Sequence, residues 1–223
     1  MAEGRRQAWE RQWEGRRGED FHWYLTEPPK ELVELLERAD RPRGAALDLG
    51  CGNGVATALM AKHFDVAVGL DIALAATRQA RELLAGRGVS GRFVVAEAPV
   101  LPFRDGAFGL LFDRGCLQAI PRDAWYGYFG EVERLLAPGG MLQLYVSRPD
   151  RRVSKLGSAR GLKLRLRRLL GGTKARGPAF LSPALIRELM PPSLEELAVD
   201  RFQFETVTGA TRQFFYGLFR KRS

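Results

Sequence analysis

Three glycines at alternate positions, in the segment LDLGCGNG at residues 47–54, constrain the fold of this 223-residue chain more than any other feature. An apolar run precedes them, and apolar residues recur at helical spacing from residue 55 to residue 64. Glycine is favoured where the backbone adopts a positive φ or where a ligand presses against it, because it has no Cβ. The pattern predicts a buried strand over 44–49 that turns directly into a helix, with a turn open to close contact.

The next apolar run predicts a second strand over 66–70, and this run is followed by Asp71. An acid at the end of the second strand of such a unit is placed to accept hydrogen bonds from ribose hydroxyls. A pyrophosphate-binding fingerprint, G-x-G-x-x-G, would require glycine at Val55, and the acid Asp48 stands two residues before the first glycine. A carboxylate there suits an amino-acid cation better than a phosphate, which disfavours an NAD(P)-dependent oxidoreductase.

The pattern D-x-G-x-G-x-G at 48–54 resembles the class I S-adenosylmethionine-dependent methyltransferases. The N-terminal segment, with Trp9, Trp13, Trp23 and the prolines at 28 and 29, loosely resembles their thiopurine and halide branch, and DRGCLQAIP at 113–121 resembles a small-molecule group that has histidine in place of Gln118. Three later segments are similar to the same family: EAPVLPF at 97–103, DGAFGLLFD at 105–113 and PGG at 138–140. The resemblance implies S-adenosylmethionine as the cofactor, S-adenosylhomocysteine as the product and methyl transfer by in-line attack of the acceptor.

The resemblance also assigns the cofactor contacts residue by residue. Glu97 accepts a hydrogen bond from the adenine amine, the Ala98 backbone N–H donates to the adenine ring, and Asp113 lies at the end of the fourth strand beside the transferred methyl group. The residues expected to bind the cofactor are Asp48, Gly50, Cys51, Gly52, Asn53, Gly54, Asp71, Ile72, Glu97, Ala98 and Asp113.

The order of these segments predicts an α/β fold. The resemblance implies that this fold is a Rossmann-like, doubly wound sheet of seven strands, mostly parallel, with an antiparallel C-terminal hairpin. Residues 1–43 are expected to form an N-terminal helical and aromatic cap, and residues 44–223 a class I methyltransferase domain. The remaining expected elements are, in chain order, a strand at 93–96, a helix at 125–136, a strand at 141–146, a helix at 183–190 and strands at 196–205 and 214–220.

Residues 151–176 contain ten Lys or Arg and no acidic residue, whereas the rest of the chain holds 25 basic and 26 acidic residues. In the predicted fold this insertion forms a lid on the substrate side. A basic amphipathic helix in this segment can bind an anionic membrane, an anionic partner or RNA phosphates. An equally weighted alternative is that the segment is a solvated lid whose leucines pack on the domain. Residues 113–116, DRGC, lack the motifs of adenine-N6 and RNA cytosine-C5 methyltransferases, which favours a small-molecule or lipid acceptor over RNA. A non-catalytic module that binds S-adenosylmethionine is the other alternative.

A sulfonium methyl group is already activated, so the protein mainly has to align the acceptor and exclude water. Candidate general bases are Asp113, His22 and, after the fifth strand, Tyr145. Trp9 and Trp13 share one helical face and are expected to pack rather than to contact the substrate. We expect no metal site, no secretory signal, no transmembrane segment and a cytoplasmic location. Contacts with the acceptor are expected from Trp23, Arg114, Cys116, Gln118 and Tyr145.

Overall fold

A computed structural model of the chain describes residues 2–21, 23–147, 181–205 and 211–223. Two of the expectations above, the candidate base His22 and the basic lid at 151–176, lie outside these residues. The described residues form one seven-stranded sheet with helices packed on both of its faces.

Two helices precede the sheet: α1 (Ala2–Trp13) and α2 (Lys30–Glu37). Strands and helices then alternate along the chain, as expected when each helix covers a parallel sheet. The elements are β1 (Ala45–Leu49), α3 (Val55–Met60), β2 (Val66–Asp71), α4 (Leu74–Gly86), β3 (Arg92–Val95), β4 (Phe108–Arg114), α5 (Cys116–Ala119), α6 (Trp125–Leu135), β5 (Leu136–Ser147), α7 (Pro183–Leu189), β6 (Leu194–Glu205) and β7 (Thr211–Lys221).

The strand order is β3-β2-β1-β4-β5-β7-β6. The first five strands pair in parallel, whereas β7 is antiparallel to both β5 and β6. Leu49 is paired with Leu70 on one side and with Asp113 on the other, so β1, β2 and β4 end at the same edge of the sheet. The predicted α/β fold with an antiparallel C-terminal hairpin is confirmed.

The sheet separates two apolar layers, because successive side chains of a strand point to opposite faces. On one face, Leu32 and Leu36 of α2 and Met60 of α3 pack on the strands. On the other face, Phe129 of α6 and Ile186 of α7 belong to a second cluster. Burial on both faces is the reason that the central strands read as continuous apolar runs.

Several predicted boundaries were wrong, among them those of α3 and β5. The helix expected to reach residue 64 ends at Met60, and the N–H groups of Lys62 and His63 donate to carbonyls three residues earlier, in tighter turns that lead to β2. The fifth strand begins at Leu136 rather than at 141. Gly139 has a φ of 75°, and the pairing of β4 with β5 shifts register near Phe108, so the PGG segment forms an irregularity inside the strand.

Candidate active site

The turn between β1 and α3 is built from three glycines in the left-handed conformation. Gly50, Gly52 and Gly54 have φ angles of 68°, 53° and 81°. A Cβ added to Gly50 would lie 2.9 Å from the Cβ of Cys116, and one added to Gly54 would lie 2.8 Å from the Cβ of Ala80. From the sequence, we expected these glycines to allow close approach of a ligand. The structure shows that side chains of the same chain, Cys116 and Ala80, also require glycine at two of the three positions.

Asp71, at the end of β2, ties this turn to the start of α4. Its Oδ2 accepts a hydrogen bond from the N–H of Gly52 at 3.0 Å, and its Oδ1 accepts one from the N–H of Ala73 at 2.9 Å. Burial raises the pKa of Asp71 to about 6, although both N–H groups act to lower it. The carboxylate lies beside the glycine turn, and its expected contact with ribose hydroxyls stays a prediction.

Asp48 is buried beneath the turn, where Thr57 of α3 holds its carboxylate. The hydroxyl of Thr57 donates to Oδ2 at 2.6 Å. Burial raises the pKa of Asp48 to about 7, opposed by this hydroxyl and by the positive charge of Arg114. This carboxylate joins β1 to α3, and its expected contact with the amino-acid part of a cofactor stays a prediction.

Asp113, at the end of β4, accepts four hydrogen bonds. The backbone N–H groups of Gly115, Cys116 and Leu117 donate to it at 2.8 to 2.9 Å, and the hydroxyl of Tyr128 donates at 2.6 Å. The side chain is fully buried, and burial raises its pKa to about 6 against these donors. This geometry caps the first turn of α5 and does not favour the base role, which stays a prediction.

Arg114 lies on the other face of the sheet and connects it to the N-terminal cap. One Nη of Arg114 donates to the carbonyl of Trp23 at 2.7 Å. Burial lowers the pKa of the guanidinium, and the negative charge of Asp48 opposes that shift. The ring of Trp23 stacks on Phe21 at 4.6 Å and meets Trp9 edge-on at 6.2 Å. The cap thus places the aromatic cluster of Trp9, Phe21 and Trp23 near the carboxyl end of β4, where Arg114 holds its backbone.

Cys51 lies within the glycine turn, and Cys116 and Gln118 lie in α5 beside it. Burial raises the pKa of both thiols, Cys51 and Cys116, well above the ordinary value. This shift does not favour either thiol as a nucleophile, and the expected contacts of Cys51 with the cofactor and of Cys116 with the acceptor stay predictions. Gln118 is partly buried, and its amide lies near Gly115 at the start of α5.

The side chain of Tyr145, in β5, is completely buried on the face of the sheet that α2 covers. Its ring packs on Phe112 and Tyr216, and its hydroxyl donates to a carboxylate oxygen of Glu31 at 3.3 Å. Burial, followed by the charge of Glu31, raises the pKa of this phenol. A contact with the acceptor stays a prediction that this burial does not favour.

Helix α1 supplies contacts that the sequence analysis missed. The carboxylate of Glu10 accepts hydrogen bonds from the N–H groups of Leu74 at 2.6 Å and Ala75 at 3.1 Å, in the first turn of α4. Arg5 forms an ion pair with Glu97, the residue expected to bind adenine. These partners are more than 60 residues apart, and no local pattern in the sequence indicates them.

Two further residues of the cap, Trp13 and Gly18, pack on the glycine turn. Trp13 is buried against Phe21, and its ring lies 3.3 Å from the position of a Cβ on Gly52, which agrees with the packing role expected for it. Gly18 is pressed against the side-chain amide of Asn53 in the same way. Of the remaining expected cofactor residues, Ala98 is buried and Ile72 is partly buried.

Within the described ranges, no group of three or more His, Cys, Asp or Glu side chains is arranged to hold a metal ion. None of the helices that the structure describes is long and apolar enough to cross a membrane.

Known proteins provide an independent comparison. Residues 46–140 match a family model described as a methyltransferase domain. The chain is 32% identical over 118 residues to a 2-heptyl-1-hydroxyquinolin-4(1H)-one methyltransferase of Mycobacteroides abscessus, which covers 52% of each chain. It is 35% identical over 133 residues to a trans-aconitate 2-methyltransferase of Acidovorax sp. strain JS42, which covers 58% of this chain and 48% of that one. The chain spans about half the length of these curated relatives.

Solved structures match over nearly the whole chain. One, from a study of the conversion of a disulfide bond into a thioacetal group during echinomycin biosynthesis, has a TM-score of 0.73 at 23% identity and covers 97% of this chain and 92% of that one. The N-methyltransferase NodS of Bradyrhizobium japonicum WM9, solved with S-adenosyl-L-homocysteine, has a TM-score of 0.67 at 17% identity and covers 98% and 99%. Identities this low establish the shared fold alone.

Proposed function

We propose that residues 46–140, which match a model described as a methyltransferase domain, form a class I S-adenosylmethionine-dependent methyltransferase domain, and that this protein transfers the methyl group of S-adenosylmethionine to a small-molecule acceptor. One observation supports this most directly: the three-glycine turn is held by Asp71 at the edge where β1, β2 and β4 end. In open α/β sheets, ligands bind outside the carboxyl ends of the strands, where the strand order reverses.

The polar groups around the turn fit the parts of this cofactor. Asp71 is fixed by two backbone donors, and a ribose hydroxyl would be a further donor to this buried carboxylate. The carboxylate of Glu97, which is ion-paired with Arg5 through one oxygen, would accept a hydrogen bond from the adenine amine. Bound S-adenosylmethionine supplies a methyl group already activated by its sulfonium.

The protein's own part is to position the acceptor and to exclude water. The stacked rings of Phe21 and Trp23 cover the sheet edge, and Arg114 holds the backbone of the cap in place. Asp113 orders the loop that carries Cys116 and Gln118, the residues proposed to contact the acceptor. His22, between the two stacked residues in the chain, remains the proposed base where the acceptor has to lose a proton.

We further propose that the acceptor is a small organic molecule with acidic character. Two of the relatives are named for a hydroxyquinolone and for trans-aconitate, a carboxylate. The ten Lys and Arg residues of 151–176 would attract such an anion, as would Arg114. A lipid or RNA acceptor would draw on the same positive charge, and these two become outcomes of the test.

Calorimetric titration with S-adenosylmethionine, S-adenosylhomocysteine and NADH tests the cofactor first. We expect binding of the first two and none of NADH, and the reverse pattern would overturn the proposal. Transfer of a labelled methyl group is then measured to carboxylic acids, hydroxyquinolones, anionic vesicles and RNA. The proposal of an acidic acceptor is supported if the protein transfers the labelled methyl group to a small carboxylic acid or hydroxyquinolone and if deletion of residues 151–176 reduces that transfer. Labelling of vesicles or RNA alone, or cofactor binding without transfer to any class, contradicts it.

A further inference from the structure

Helix α1 is anchored to the two loops that form the expected ribose and adenine ends of the site. Glu10 accepts hydrogen bonds from two N–H groups in the first turn of α4, just after Asp71. An acidic side chain at the first turn of a helix is favoured by the free N–H groups there and by the helix dipole. One turn earlier along α1, Arg5 reaches Glu97. The helix therefore spans from the loop after β2 to the loop after β3.

The ion pair between Arg5 and Glu97 joins an Nη of the guanidinium to Oε1 of the carboxylate and leaves one polar atom of Arg5 unmatched. Nε of Arg5 is buried and has no partner with hydrogen-bond geometry among the described residues. Buried polar atoms are nearly always hydrogen-bonded in native structures, because water cannot satisfy them. A buried donor that lacks a partner, beside a carboxylate, is a feature of a binding site for a group that carries an acceptor next to a donor.

Adenine presents an acceptor for that donor next to a donor for the carboxylate of Glu97. Its exocyclic amine donates hydrogen bonds, and a ring nitrogen on either side of the amine accepts one. Glu97 is the expected partner of the amine, and the N–H of Ala98 is the expected donor to the ring. The second ring nitrogen beside the amine then needs a donor from another part of the chain.

We propose that Arg5 is a cofactor-binding residue whose Nε–H donates to the adenine ring nitrogen beside the amine bound by Glu97. The N-terminal helix thus forms one wall of the adenine pocket, and Glu10 positions it. This inference rests on the proposed function, because it requires that the site binds an adenine nucleoside.

Calorimetry with S-adenosylhomocysteine and 5′-methylthioadenosine, both of which contain adenosine, tests the proposal on the full-length chain. We expect Arg5→Ala to weaken binding of both by about tenfold or more, as for loss of one hydrogen bond from a charged donor. Arg6→Ala changes the neighbouring, exposed arginine of the same helix and is expected to leave both affinities unchanged. A loss for S-adenosylhomocysteine alone, or an unchanged or tighter affinity in Arg5→Ala, would overturn the assignment.

A second variant separates the donor from the charge. Arg5→Lys keeps a cation opposite Glu97 but has no Nε–H in the guanidinium plane, so we expect it to lose as much affinity as Arg5→Ala. Full affinity in Arg5→Lys would mean that the ion pair alone suffices, and the proposal would be wrong. If the wild-type chain binds neither ligand, the proposed function fails instead, and the two failures are thereby distinguished.

Discussion

The hydroxyl of Tyr128 donates a hydrogen bond to Oδ2 of Asp113 across 2.6 Å, and both side chains are completely buried. Tyr128 belongs to α6 and Asp113 to β4, so this bond joins the helix layer to the carboxyl edge of the sheet. The same carboxylate accepts three backbone N–H groups from the start of α5. A residue that the sequence suggested as a base thus has the contacts of a structural cap.

Removing the tyrosine hydroxyl should destabilise the fold. We expect Tyr128→Phe to lower the free energy of unfolding by about 1–3 kcal/mol, because a buried carboxylate loses a donor. Tyr126→Phe on the same helix is the control, since Tyr126 is 66% exposed and its hydroxyl loss should cost little. Urea denaturation measures both variants. Equal effects of the two substitutions would contradict the importance assigned to the Tyr128 bond.

Replacing the carboxylate separates the structural role of Asp113 from the base role. Asparagine keeps one acceptor oxygen but presents an NH₂ group to the remaining donors, so Asp113→Asn should lower the free energy of unfolding by about 1–3 kcal/mol. Turnover measured below the melting temperature, with saturating cofactor, should fall less than the 10²-fold or more typical of a lost general base. A stable variant with a larger fall in kcat would restore Asp113 as the base.

The stability of the protein should fall as pH rises toward neutrality through its buried carboxyls. The pKa in the folded state is about 7 for Asp48 and about 6 for Asp71 and Asp113, compared with an ordinary value of 3.8. Between these values the folded chain binds more protons at these sites than the unfolded chain, so the free energy of unfolding decreases with pH. This contribution is present below about pH 4 and is lost by about pH 7.

Asp48→Asn tests that dependence, because it removes the carboxyl with the largest shift. Urea denaturation from about pH 5 to about pH 7.5 should show a shallower decrease than in the wild type. Asp65→Asn, at an exposed aspartate just before β2, is the matched control and should leave the slope as it is. A wild-type slope in Asp48→Asn would show that Asp48 is not the titrating group.

Gly50→Ala should damage the site more than backbone strain alone would. Gly44 also has a positive φ, of 85°, but a Cβ there meets nothing within 4 Å, so Gly44→Ala measures strain without contact. A Cβ on Gly50 would lie 2.9 Å from the Cβ of Cys116. We expect Gly44→Ala to cost about 1 kcal/mol of stability with unchanged affinity for S-adenosylhomocysteine. Gly50→Ala should cost more and weaken that affinity, and equal behaviour of the two variants would contradict this.

The order of the elements was predictable because the signals are local. The glycines at 50, 52 and 54 and the acid at 71 each follow an apolar run, and the carboxyl ends of parallel strands meet at one edge. The antiparallel ending was predictable in kind, although β6 and β7 are both longer than expected. Boundaries such as the end of α3 at Met60 depend on how the chain reaches the next strand.

By itself, the sequence determined the sheet, the glycine turn at its edge and the acids around that turn, because periodicity and turn chemistry are set by near neighbours. The tertiary structure decided which groups those acids contact: Thr57 for Asp48, Tyr128 for Asp113 and Arg5 for Glu97. Partners of this kind come from other secondary-structure elements. The hydrogen bonds and the burial of a carboxylate are therefore properties of the packed chain. Because they set the pKa and the role of that carboxylate, these too are decided by the tertiary structure.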